Sequence, residues 1–131
     1  MARRFALFLF AGALAAAAPA QADPYPVAVL QGLDKITARV STIEVRIGET
    51  AEFGSLRITP RICDKRPPVE PPESAAFLEI SDAKPGEARA DLFSGWMFAS
   101  SPALSALEHP VYDIWVLDCR NAEISSSDSS E

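Results

Sequence analysis

Ile43-Glu44-Val45-Arg46-Ile47 narrows the folds open to this chain more than any other feature. Three β-branched residues alternate with two charges. Residues two apart share one face of a strand but lie on different sides of a helix, so Thr42–Gly48 predicts a half-buried strand. The pattern recurs in Leu56-Arg57-Ile58-Thr59, where Pro60 marks an edge or a bulge before Arg61-Ile62-Cys63. Ala75–Ile80 and Asp91–Phe98 read as further strands. Gly48-Glu49-Thr50, Gly54-Ser55 and Lys84-Pro85-Gly86-Glu87 supply turns between them. Asp64–Glu73 holds four prolines in ten residues, which forbids helix and makes a surface crossover between strands the simplest reading. A recognition element over residues 67–72 is the sharper alternative.

The remaining segments fill in the ends. Asp23-Pro24-Tyr25-Pro26 is extended, because each proline turns its predecessor away from helix. Val27–Leu33 suits a strand or a helical turn. Pro102–Glu108 suits one or two helical turns, with Ser101 as cap. Pro110–Cys119 reads as the last strand, apolar on both faces and therefore central. Ser125–Glu131 has nothing to bury. Six or seven short strands then predict a mostly β fold: a small antiparallel β-sandwich or barrel-like domain, with room for one short helix. The expected organisation is a signal peptide over 1–22, an extended leader over 23–34, a β domain over 35–121 and a disordered acidic tail over 122–131.

The signal peptide rests on a basic start at Arg3-Arg4, an uncharged apolar run from Phe5 to Ala18, and small residues at Ala20 and Ala22. A membrane-spanning helix needs about 20 apolar residues, longer than this run. Cleavage between Ala22 and Asp23 would leave no stable membrane anchor and would direct the chain to the periplasm. It would also remove two of the 12 basic residues, leaving 10 against 18 acidic ones, a net charge of −8. That charge repels phosphate backbones and argues against a nucleic-acid partner. Cys63 and Cys119, the two cysteines present, predict one disulfide in an oxidising compartment.

Several blocks together resemble a known family. They are Thr37-Ala38, Gly54-Ser55-Leu56 with Cys63, Gly95-Trp96-Met97-Phe98-Ala99-Ser100-Ser101-Pro102, and His109-Pro110-Val111-Tyr112-Asp113 with Trp115 and Cys119. The chain is similar, from about Lys35 to Arg120, to domain of unknown function family 2155, small secreted proteins of Gram-negative bacteria. The resemblance implies an envelope location and a compact domain. It brings no activity.

Candidate chemistry is sparse. His109 is the single histidine. Asp113 and Ser100, Ser101 and Ser105 are near enough in sequence to imagine a triad, but no Gly-x-Ser-x-Gly elbow accompanies them. A histidine pinning a turn is the simpler reading of the polar pair His109 and Asp113. One histidine and a paired set of cysteines leave no metal site, and no cofactor motif is present. Trp96, Phe98 and Tyr112 form the candidate binding surface, with Trp96 beside Gly95 the preferred exposed ring. Core packing is the simpler reading of both Trp115 and Trp96. Three functions follow in order: a non-catalytic envelope module for a protein partner, a domain binding glycan or peptidoglycan fragments, and a small hydrolase using His109.

Overall fold

A computed structural model describes residues 12, 22–102 and 106–122. Apart from Gly12 and Ala22, the expected signal peptide lies outside the described residues, as do 123–131 of the expected tail. Nine strands run through the described residues: β1 (Asp23–Pro24), β2 (Val27–Asp34), β3 (Arg39–Arg46), β4 (Ala51–Phe53), β5 (Leu56–Lys65), β6 (Ser74–Asp82), β7 (Ala90–Phe98), β8 (Leu107–Glu108) and β9 (Tyr112–Arg120). One sheet runs β1-β5-β6-β7, with β4 also paired to β5; the other runs β3-β2-β9-β8. Every pairing is antiparallel.

The two sheets pack face to face, and alternation decides what each strand contributes. Leu56, Ile58, Leu78, Ile80 and Met97 from the first sheet meet Leu30, Val45, Ile114 and Val116 from the second in one core. Cys63 on β5 and Cys119 on β9 join the sheets by a disulfide, Cα to Cα 5.8 Å. The domain is thus a disulfide-closed sandwich. Pro60 is fully buried, and the β5–β6 register shifts just after it, between Pro60 and Ile62. That bulge turns both Arg61 and Ile62 outward.

Four expectations need correction. Residues 23–34 are extended but are no leader outside the domain: β2 lies between β3 and β9 at the centre of its sheet. Its outer residues Val27 and Val29 are buried as well. Arg120 and Glu44, opposite Val27 and Val29 on the flanking strands, pair with each other across β2 on that face. The Pro-rich segment joins the neighbours β5 and β6, so it is a hairpin connection and not a crossover. The helical turn expected over 102–108 does not reach its end: Leu107–Glu108 pair with β9, the Ala106 amide donates to the Pro102 carbonyl at 3.1 Å, and 103–105 lie outside the described residues. Finally, β9 is central but apolar-buried on one face only. Ile114, Val116 and Cys119 point inward, whereas Trp115 is half-buried on the outer face and Leu117 is exposed.

Candidate functional site

The sandwich has two chemically different ends. At one, the turn after β8 places His109 against the other sheet. Its Nε2 donates to Asp82 Oδ2 on β6 at 3.0 Å, and its Nδ1 accepts from the Val111 N–H at 3.0 Å. Both ring nitrogens are therefore committed, with the acceptor at Nδ1 and the donor at Nε2. A hydrogen bond from Ser55, opposed by the cost of burial and joined by His109 and Lys84, holds the Asp82 carboxyl below its ordinary 3.8. Tyr112 stacks on His109 with ring centroids 5.5 Å apart and meets Phe53 edge-on at 5.3 Å. Gly54, at φ 57°, lies directly under the Tyr112 hydroxyl; its backbone angle and the absent side chain are both required there.

No triad forms from the residues that stand together in the sequence. Asp113 is bound to Lys35 Nζ at 2.8 Å, and the same ammonium donates to the His109 carbonyl at 2.8 Å. Asp113 thus steadies the turn from outside instead of orienting the imidazole. Ser100 is engaged by Glu73, far along the chain, and Ser105 lies outside the described residues. The carboxylate that does reach His109 is Asp82, 27 residues upstream. Nothing in the local pattern of Ser81-Asp82 signals it. Chemically this cluster is a hydrogen-bonded tie between the sheets, with no free base directed at a nucleophile.

The other end carries the disulfide and the accessible aromatics. Buried Met97 points into the core, so strand parity turns Trp96 and Phe98 outward, where they are 38% and 40% exposed. Gly95 faces inward opposite Leu78, and a side-chain carbon there would meet only the Phe93 ring, at 3.6 Å. Trp96 packs edge-on against its cross-strand neighbour Phe77, centroids 5.7 Å apart. Exposed Ile62 extends that row onto β5. Tyr112, grouped with Trp96 and Phe98 in the sequence reading, belongs to the histidine end and does not join this face.

Trp96, Phe98 and Ala75 floor a groove of about 400 Å³. Its rim is acidic, with Asp64, Glu70 and Glu73 against the single cation Arg66. Glu70 and Glu73 come from the Pro-rich hairpin connection, which is closed by a bond from the Arg66 N–H to the Glu73 carbonyl at 3.0 Å. Partial burial pushes the Glu73 carboxyl up. The Ser100 hydroxyl, the Ser100 and Ser74 N–H groups and Arg66 outweigh that and hold it below its ordinary 4.5. Glu73 therefore stays ionised and clamps the loop to the turn after β7. Ala22 lines the same groove, and Asp23 pairs with Lys65. The expected cleavage point thus sits at its margin.

Among the described residues no group of three or more His, Cys, Asp or Glu side chains could hold a metal ion. The architecture defines a class: a two-sheet, disulfide-linked β domain with one aromatic, acid-rimmed groove. Residues 28–119 match the family model described as an uncharacterized protein conserved in bacteria, domain of unknown function 2155, and the chain belongs to that family. It is also similar to an uncharacterized protein of Rickettsia prowazekii, 37% identical over 87 residues. That match covers 66% of this chain and 56% of the relative's length. No solved structure matches the chain.

Proposed function

We propose that this protein is a non-catalytic binding module of the bacterial envelope, and that its binding surface is the Trp96–Phe98 groove. The observation that carries the reading is the outward pair of aromatics, Trp96 and Phe98, flooring an acid-rimmed groove. Two large rings left in water on a small domain are costly unless something covers them, and aromatic residues anchor protein interfaces more often than other types do. The disulfide suits an oxidising compartment, and the apolar start of the chain suits export to the periplasm. Tying up both nitrogens of His109 removes the sequence's best candidate for acid–base work.

In-cell crosslinking of the tagged protein, followed by mass spectrometry, tests this. One dominant protein adduct in the wild type, lost on Trp96→Ala, is the expected result. Identical adducts in both samples, or none in either, would count against the groove. A half-exposed indole beside carboxylates also suits a sugar ring. Quenching of tryptophan fluorescence by chito-oligosaccharide or muropeptide in the wild type, absent in Trp96→Ala, would move the reading from protein to glycan. Export has its own check: intact mass of the envelope-fraction protein should correspond to a chain starting at Asp23.

A further inference from the structure

We propose that β7 accepts an added β-strand: an extended segment of a partner protein that carries a lysine or arginine next to a branched apolar residue. The inference rests on the binding reading above and specifies the partner's chemistry. Among the described residues β7 pairs with β6 on one side and with no strand on the other. The Ala99 N–H donates to the Ser74 carbonyl at 2.8 Å, which sets the phase of the β6–β7 ladder. In an antiparallel ladder, bonded and non-bonded pairs alternate. Gly95 and Met97 therefore bond to β6, while the N–H groups of Ser94, Trp96 and Phe98 point toward the open edge. Trp96 and Ser94 direct their carbonyls the same way; the Phe98 carbonyl accepts from Ser101 at 3.2 Å. The three residues that offer backbone groups to a new strand also face their side chains outward.

The two long edge strands differ in how they are protected. β3 is guarded by Arg39, Glu44 and Arg46, as edges that must stay unpaired usually are. β7 carries one charge, Asp91, and leaves Leu92, Trp96 and Phe98 exposed. Depressions flank both halves of it: the aromatic groove beside Trp96 and Phe98, and a hollow of about 520 Å³ lined by Leu92 and Ser94. Arg89 lines that hollow too, but its Nε is engaged by Ser81 at 2.7 Å. Asp64, Glu70 and Glu73 outnumber Arg66 along the rim, so a cationic segment is favoured. A second copy of this chain, with a net charge of −6, would bring like carboxylates together. Strand addition combines main-chain bonds for affinity with alternate side-chain pockets for specificity.

The test titrates the isotope-labelled, disulfide-bonded protein with three synthetic octapeptides, read by amide chemical shifts. They are an alternating Lys-Val peptide, its Glu-Val counterpart, and the Lys-Val peptide N-methylated at alternate residues. Lys-Val should shift the amides of Ser94, Trp96 and Phe98, and the other two should not. Ser94→Pro deletes an outward N–H that β6 does not use, and should weaken Lys-Val binding about tenfold, with Ser94→Ala within about twofold. Glu70→Lys should weaken it about threefold. Should Ser94→Pro disturb the fold, the N-methylated peptide reports the same contact from the ligand side. Equal binding of the N-methylated peptide, preference for Glu-Val, or β7 shifts that follow protein concentration alone would overturn strand addition. Loss of the in-cell adduct on Trp96→Ala, together with unmoved β7 amides, would sink this inference and leave the binding reading standing. Failure of both experiments would remove the two together.

Discussion

Removing the Cys63–Cys119 link should cost this domain a large part of its stability. The bond closes a loop of 56 positions between β5 in one sheet and β9 in the other. In the chain-entropy picture, releasing a loop of that length destabilises the fold by about 4 kcal/mol, against roughly 5–15 kcal/mol of total stability for a single domain. Each kcal/mol moves the melting midpoint of a domain this size by roughly 4–8 °C, so the midpoint should fall by about 15–30 °C. Calorimetry with and without a non-thiol reductant measures that drop. Cys63→Ala with Cys119→Ala should fall at least as far, because both sulfurs are buried at the sheet interface and leave unfilled space. A midpoint lowered by only a few degrees would refute the reasoning. So would two titratable thiols in the folded, unreduced protein.

Other perturbations probe the two ends separately. Gly54→Ala forces a side chain to φ 57° and into the Tyr112 hydroxyl, and should destabilise by more than about 1 kcal/mol in urea titration. Leu78→Ala, at a fully buried site between the sheets, should cost about 2–5 kcal/mol by the same measurement. The carboxyls of Asp82 and Glu73 titrate below their ordinary 3.8 and 4.5 in the folded state. Each therefore adds stability that is present above its unfolded value and lost as pH falls through the lower folded value. Urea midpoints between pH 6 and 3 should drop across that acid range, and Asp82→Asn with Glu73→Gln should flatten the slope. Trp96→Ala loses a half-exposed ring and one edge-on contact with Phe77, so it should destabilise by only about 1 kcal/mol, leaving a folded variant for binding work.

Much of the fold was legible because period-2 patterns survive wherever one face of a strand is wet. Ile43 and Val45 read correctly for that reason, and two cysteines allow a single pairing. Val27–Leu33 did not read clearly because β2 is covered on both faces, and a continuous apolar run carries no periodicity. Trp115 was misread as core because composition alone does not say which face of β9 meets the other sheet. That Trp96 and Phe98 share one face was legible; that the face is the outer one, and that an acidic rim borders it, was not. Asp64, Glu70 and Glu73 reach the groove through the path of the Pro-rich hairpin, and no local pattern encodes that path. His109 taught the reverse lesson: its nearby carboxylate, Asp113, belongs to Lys35, and its real partner arrives from another sheet.

The most direct measurement is a position scan in cells. A photo-crosslinking residue is placed at Leu92 or Phe98 on β7, and at Val40, exposed on the opposite sheet. A single protein adduct from positions 92 and 98, absent from position 40, is expected for a binding face along β7. Adducts of equal yield from all three positions, or from position 40 alone, would contradict it.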